Sequence, residues 1–359
     1  MVLSDRRGPT REALLALPSA GLGTWPTPLH RLDRFGAAIG AEVWIKRDDV
    51  QGVALAGNKI RKFNLVIGQA MADGCDTLVT TGAIQSNSAR TGASAAAATG
   101  MDCHLVLSGE PPDTAEGGPG PTANLLLDHL VGATIHHAVD ASWVELNQQV
   151  DDLVAELNAA GRRAFAAPIG CSSPLGSLGF ARALLELEAQ LAIADVTPSA
   201  IVHTTTSGGT HAGLLVGRAL MAPDSRLAGV PIIGVDAGRL YDDVAAQHWA
   251  LAVEAAALIG LDLAADLSGD VTLVHDQVGD AYGAHTEAST EAIELLARTE
   301  AVIVDPVYSA KGLAGLIALV RSGDLGDSDS RDPIVFWHTG GYHALFDPHH
   351  GSPLVRHRH

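Results

Sequence analysis

Short runs of β-branched and apolar residues, most of them separated by stretches of helical character, recur along this 359-residue chain. Leu78-Val79-Thr80, Cys103-His104-Leu105-Val106-Leu107, Ala133-Thr134-Ile135-His136-His137 and residues 163–167 form one group. Ala200-Ile201-Val202-His203, Ile232-Ile233-Gly234-Val235, Val271-Thr272-Leu273, Ala301-Val302-Ile303-Val304 and Ile334-Val335-Phe336-Trp337 form a second. Such an alternation predicts an α/β protein whose mostly parallel, doubly wound sheets are covered by helices on both faces. The length allows two domains or one large unit. Helices are expected over residues 86–99, 143–159 and 175–191. Another should open on Pro121, because the first helical position needs no N–H.

Composition narrows the function. Hydrophobic residues make up 47% of the chain but aromatics only 4%, so the core is expected to consist of Ala, Val, Leu and Ile. No run approaches the roughly 18 apolar residues that span a bilayer, and Met1-Val2-Leu3-Ser4-Asp5-Arg6-Arg7 lacks the pattern of a signal peptide. Cys75, Cys103 and Cys171 have no paired spacing, which argues against disulfides and structural zinc and for a reducing cytoplasm. The net charge of −18 opposes nucleic-acid binding, which needs phosphate neutralised by Lys and Arg. The histidines of the C-terminal tail, with no clustered carboxylate or cysteine, read as a solvated tail rather than a metal site.

Chemistry concentrates where strands hand over to helices. The strand-like run Val43-Trp44-Ile45-Lys46-Arg47 and the turn Asp48-Asp49 lead to Gly57-Asn58-Lys59, then to an amphipathic stretch with Phe63, Ile67, Ala70 and Met71 at helical spacing. A lysine at a helix start meets partial positive charge, which favours the neutral amine needed for carbonyl chemistry. Thr204-Thr205-Thr206-Ser207-Gly208-Gly209-Thr210-His211 joins a strand to a helix and offers N–H groups, hydroxyls and a helix dipole to a phosphate. It has neither the Walker A nor the G-x-G-x-x-G spacing. Gln85-Ser86-Asn87 reads as a helix N-cap whose geometry also suits a carboxylate or a phenolate-like oxygen. Asp305-Pro306-Val307-Tyr308 and His338-Thr339-Gly340-Gly341 follow apolar strands, and ligands of open parallel sheets bind beyond the strands' carboxyl ends. A lysine, a phosphate cradle and polar strand-end loops together suggest a phosphorylated aldehyde cofactor.

Taken in order, Asp48-Asp49, Gly57-Asn58-Lys59, Gln85-Ser86-Asn87, Ser207-Gly208-Gly209-Thr210-His211-Ala212-Gly213, Asp305-Pro306-Val307-Tyr308 and Thr339-Gly340-Gly341 resemble one family. It is the D-cysteine desulfhydrase and 1-aminocyclopropane-1-carboxylate deaminase family, pyridoxal phosphate enzymes of the tryptophan synthase β-like fold. The resemblance, from about Pro26 to Gly341, implies two domains: residues 1–57 with 171–359 as the larger, and 58–170 as a smaller insertion. It implies that Lys59 is the Schiff-base lysine, that Asn87 binds the cofactor's 3′ oxygen, and that Ser207, Gly208, Gly209 and Thr210 hold its phosphate with Lys62 in support. Ser86, Gln85, Asn87 and Ser88 would lie at the substrate, and Tyr308 and Tyr282 would face it. Ser309 and Thr339 would lie on the cofactor side. Three departures stand out: Ala284-His285 where relatives carry a proline, Ser88 in place of a bulkier polar residue, and Ala56 for a glycine.

The cyclopropane deaminases resemble Tyr-Glu after Asp-Pro-Val and a leucine before the last Gly-Gly. Ser309 and Thr339 instead resemble the D-cysteine desulfhydrase branch. The expected activity is therefore α,β-elimination from D-cysteine to pyruvate, sulfide and ammonia by a cytoplasmic homodimer acting on a small amino acid. Other β-substituted amino acids (cysteate, chloroalanine, serine), the cyclopropane acid and a non-catalytic carrier are the alternatives.

Overall fold

A computed structural model describes residues 7–55, 57–113, 120–263, 271–325, 332–351 and 354. The first six residues, Ala56, most of the 325–332 loop and most of the histidine-bearing tail lie outside the described residues.

Two sheets form from separate parts of the chain. The smaller comprises β3 (Thr77–Ala83), β4 (Asp102–Ser108), β5 (Thr134–His137) and β6 (Ala164–Ala167), all parallel in the order β5-β4-β3-β6. The larger draws on both flanking parts: β1 (Leu29–Arg31), β2 (Val43–Arg47), β7 (Ala200–Thr205), β8 (Ile232–Asp236), β9 (Thr272–Val274) and β10 (Ile334–His338). Its order is β1-β2-β10-β7-β8-β9, and only β1 runs antiparallel to its neighbour. In each sheet the chain leaves a central strand in one direction (β3 to β4, β7 to β8) while a later strand lies on its other side (β6, β10). Two topological switch points result, and the carboxyl ends of strands at such points are where α/β sheets bind ligands.

Apolar helices cover both faces of the larger sheet. On one side are α1 (Arg7–Ala16), α7 (Pro174–Ala194), α8 (Gly209–Ala219) and α9 (Val244–Ala257); on the other are α2 (Asp33–Ile39), α10 (Glu287–Glu300) and α11 (Ser309–Ser322). The smaller sheet packs against α3 (Lys59–Ala72), α4 (Asn87–Thr99) and α5 (Ala123–Leu130) on one face and α6 (Trp143–Ala159) on the other. A short α12 (Pro348–Gly351) ends the described chain apart from Leu354. The small residues of α7 and α8 let the two approach until a Cβ on Gly213 would stand 1.9 Å from the Ser177 carbonyl oxygen.

Three local expectations differ. Residues 301–304 alternate as a strand should, with Val302 and Val304 buried and Ile303 exposed, but they join no ladder. The Ile303 carbonyl is taken by the His338 imidazole at 2.8 Å instead of by a strand. Pro121 precedes the N-cap Thr122 of α5 rather than opening the helix. Met71 lies on the exposed side of α3, whereas Phe63, Ile67 and Ala70 are buried as expected.

One polar cluster ties α3 to the larger sheet. The Arg61 guanidinium donates to Asp48 at 2.7 and 2.8 Å and to both Glu186 oxygens at 3.0 Å. Trp337 donates to Asp48 at 2.8 Å, and Lys46 reaches Glu186 and the Thr27 carbonyl. Burial alone would raise the Glu186 carboxyl, but hydrogen bonds and charge from Arg61 and Lys46 outweigh it and hold it at about 2. A carboxylate depressed in the folded state contributes stability above its unfolded value near 4.5, and this is lost as pH falls toward 2. Between pH 4.5 and 2, Glu186→Gln should therefore lose less stability than wild type, by on the order of 3 kcal/mol in urea unfolding. Parallel pH profiles would contradict this account.

A candidate active site between the two sheets

The loops after β3, β7 and β10 meet the start of α3 around one cleft of about 890 Å³, counting its mouth. Lys59 is the first residue of α3, and the residue before it sets its position. The Asn58 N–H donates to the Thr339 carbonyl at 2.9 Å, and its side-chain nitrogen donates to Thr210 Oγ1 at 3.1 Å. Asn58 thus holds the lysine against both β10 and the start of α8. The Lys59 amine donates to Asn58 Oδ1 at 3.3 Å. Its desolvation, only partly offset by Cys171 and Asp305, brings its pKa from the ordinary lysine value to about 8.

Ser207, Gly208 and Thr210 form one wall of the cleft. Gly208, with φ of +87°, is the N-cap of α8, so the positive end of the helix is turned toward the cleft. A Cβ on Gly208 would come within 2.5 Å of the His248 ring, and one on Gly209 within 2.6 Å of Lys62 Nζ. Lys62 is buried one turn after Lys59 and donates to the Gly170 carbonyl at 3.1 Å and Ser172 Oγ at 2.9 Å. Ser172 also bonds Ser207 and accepts the Gly209 N–H. Burial, and then the charge of Lys59, push the Lys62 pKa well below the lysine range.

Asn87 opens α4, and its Oδ1 accepts from Asn124 at 3.0 Å, which leaves its N–H groups for the cleft. Ser86 caps α4 by accepting the Ala89 N–H at 3.2 Å while lining the cleft. Thr339 also lines it. Behind Thr339, His338 Nδ1 accepts the Gly340 N–H at 3.2 Å and Nε2 donates to the Ile303 carbonyl at 2.8 Å. On the opposite side the Tyr282 and Tyr308 hydroxyls are hydrogen-bonded to each other. The Tyr282 residue is 40% exposed, but its hydroxyl is desolvated against Tyr308, so both phenol pKa values are raised, that of Tyr308 well above the usual phenol, and both stay protonated.

Lys59, Ser86, Asn87, Ser88, Ser207, Gly208, Thr210, Tyr282, Tyr308 and Thr339 therefore share one cleft, with Lys62 and Gly209 directly behind the cradle. Gln85 and Ser309 are not among the cleft-lining residues. The Gln85 amide is committed to Asn124, Thr122 and Asp347. The Ser309 hydroxyl donates to Asp305 at 2.5 Å, and that carboxylate also accepts the N–H groups of Val307, Tyr308 and Ser309. The pair builds the start of α11 and so aims Tyr308. Sequence reasoning missed Trp143 and Arg90, both of which line the cleft. Trp143 stands edge-on to Tyr282 at 6.1 Å, and buried Arg90 donates to Asn124 at 3.1 Å. Nothing local marks Trp143 as more than a helix start. Arg90, a charge within an Ala/Ser/Gly helix, did carry a signal.

The Ser88 and Thr205 hydroxyls are buried at the cleft without a hydrogen-bond partner among the described residues. Two orphaned hydroxyls, a glycine cradle that a Cβ would fill, and a lysine of lowered pKa fit a phosphorylated aldehyde cofactor.

Comparison with known proteins agrees with this fit. The family described as pyridoxal-phosphate dependent enzyme matches residues 21–340. A D-cysteine desulfhydrase of Serratia proteamaculans is 37% identical over 339 residues, covering 94% of this chain and 98% of that protein. The crystal structure of an ACC deaminase homologue superposes with a TM-score of 0.84 at 33% identity, over 96% of this chain and 98% of that one. Threonine deaminase isoform 2 of Solanum lycopersicum, at 17% identity and a TM-score of 0.63 over 94% of this chain and 85% of that one, shows the fold alone.

Lys59 should be protonated below about pH 8 and reactive above it. Acylation of Lys59 in cofactor-free protein, followed by peptide mass spectrometry across pH, should rise with a midpoint near 8. A midpoint near the ordinary 10.5 would show that the amine is not desolvated.

Proposed function

The chain belongs to the pyridoxal-phosphate-dependent enzyme family, and on that basis we propose that it is a lyase eliminating the β-substituent of a small amino acid, D-cysteine foremost. The observation that carries this reading is a low-pKa lysine and a protonated tyrosine pair in one cleft beside a phosphate cradle. Residues 58–170 are read as a small domain inserted into a larger one, with the cleft between them. The working form is read as a cytoplasmic homodimer. Among the described residues no helix is long and apolar enough to cross a membrane.

Ser207, Gly208, Gly209 and Thr210 would hold the cofactor's phosphate, with Lys62 behind, Asn87 at its ring oxygen and Thr339 at the opposite edge. Pyridoxal phosphate, when bound, supplies an electron sink at the substrate's α-carbon. Lys59 is the base for the Cα proton: near pH 8 about half of it is neutral and able to accept one. Ser86 and the N–H groups of the α4 start hold the substrate carboxylate. Tyr308, kept protonated by burial and braced by Tyr282, donates its hydroxyl proton toward the departing sulfur. The balance is D-cysteine plus water to pyruvate, hydrogen sulfide and ammonia.

Two features support elimination over cyclopropane ring opening. Neither position 309 nor position 339 carries a carboxylate, so no acid stands there to hold the cofactor's ring nitrogen protonated. The Ser309 hydroxyl, moreover, is already engaged by Asp305.

Lys59→Ala should lose both the visible absorbance of bound cofactor and turnover, and Tyr308→Phe should lower kcat by roughly 10²-fold or more. D- and L-cysteine, β-chloroalanine, serine, cysteate and the cyclopropane acid, compared by 2-oxo acid formation, should rank D-cysteine first. Full activity in Lys59→Ala would refute the mechanism, and a different leading substrate would reassign the specificity.

A further inference from the structure

Behind the phosphate cradle stand three fully buried histidines, one each from β7, α8 and α9: His203, His211 and His248. The proposed mechanism uses none of them. Their origin lies in how β7 ends. Pairing of β7 with β10 stops at His203, whereas pairing with β8 continues to Thr205. The Thr205 carbonyl accepts the Ala237 N–H on the β8 side, so strand alternation turns the Thr204 carbonyl to the side where β10 has left. A buried carbonyl needs a partner, and His203 Nδ1 provides it at 3.0 Å.

That bond sets the direction of the rest. A carbonyl only accepts, so His203 carries its proton on Nδ1 and, as a neutral ring, has a bare Nε2. His203 Nε2 lies 3.0 Å from His211 Nδ1, which must then be the donor. His211 is therefore a second Nδ1–H tautomer with a bare Nε2. The His248 ring follows, 5.5 Å from His211 between centroids, and faces the Thr206 carbonyl. Burial, first among the causes, lowers the pKa of His203 and His248 to about 4 and that of His211 well below the ordinary value, so all three are neutral. His211 Nε2 and Thr205 Oγ1 are buried without a hydrogen-bond partner among the described residues, and the His248 ring leaves no room for a Cβ on Gly208.

We propose that the hydrogen-bonded pair His203–His211, with the His248 ring packed beside it, forms a directed column that fixes the Thr204 carbonyl where β7 leads into the cradle, so that the cradle's N–H side is presented to the cofactor's phosphate. An anion cradle works only if its carbonyls are turned away and satisfied elsewhere: the Thr205 carbonyl takes the Ala237 N–H, the Gly208 carbonyl takes the Ala212 N–H, and the Thr204 carbonyl takes His203. The column also reaches the reacting end of the cleft, because the Thr204 hydroxyl donates to the Tyr308 carbonyl at 3.2 Å. These histidines are positioning residues, acting through the loop they brace. The inference rests on the reading that the cleft holds pyridoxal phosphate.

The test compares cofactor retention by the wild-type, His211→Phe and His211→Asn holoenzymes during dialysis, with the dissociation constant measured on re-addition of pyridoxal phosphate. His211→Phe removes the donor and should weaken binding at least tenfold. His211→Asn places an amide N–H where Nδ1–H stood and should return binding to within about threefold of wild type. Independently of any variant's folding, ¹⁵N NMR of histidine-labelled wild-type holoenzyme should show two neutral Nδ1–H imidazoles, assigned to His203 and His211. Wild-type binding in His211→Phe, or an Nε2–H tautomer at His203, would overturn the column. Failure of the wild type itself to bind pyridoxal phosphate would instead remove the cofactor reading beneath it.

Discussion

The buried contact between Arg61, Asp48 and Glu186 is the constraint on which the site depends. Arg61 lies two residues after Lys59, on a helix also tied by Asn58 to Thr339 and Thr210 and by Lys62 to Gly170 and Ser172. The guanidinium fork fits Asp48 in only one orientation, and Trp337, Thr27 and Lys46 fill the remaining lone pairs of the cluster. Against a well-packed apolar replacement, such a cluster has little net stabilisation to offer, yet losing one partner costs about 3–5 kcal/mol. Its effect here is to specify position. It brings together the turn after β2, the end of β10, α3 and α7, and so places Lys59 at the end of the larger sheet rather than a turn away.

The chemistry of the cleft follows from what surrounds that lysine. The chain carries a net charge of −18, yet Lys59, Lys62 and Arg90 gather at or behind the cleft. Acidic groups nearby are spent on backbone N–H groups, as Asp305 is, or on Arg61, as Asp48 is. The cleft thus presents donors: N–H groups, hydroxyls and amines. Desolvation lowers the lysines and raises the tyrosines, so neutral bases and neutral acids coexist in one small volume.

Several parts of this arrangement could be read along the chain because they depend on local rules. The Gly208-Gly209 turn into α8, the Ser86 cap of α4 and the lysine opening α3 are helix-start chemistry, and all three do line or back the cleft. Residues whose partners come from far away were read less well. Gln85 looked like a ligand, but its amide meets Asn124 and Asp347, which no local pattern connects to it. Ser309 looked like a cofactor contact, but Asp305 takes its hydroxyl first. Residues 301–304 have the alternation of a strand, but pairing depends on a free neighbouring edge, and His338 occupies the carbonyl of Ile303 there.

The order of apolar runs and strand-end loops was enough to imply two helix-covered parallel sheets and a lysine beside a phosphate cradle. These depend on periodicity, on glycine at turns and on the unpaired groups at helix ends, which are properties of neighbours in the chain. Packing alone could bring Trp143 to Tyr282 and align three histidines behind the cradle. It also left Ser88 and Thr205 with open hydroxyls. A hydrogen bond or a lost hydration shell depends on which distant atoms arrive within about 3 Å, and that is settled only when the sheets and helices have closed on one another.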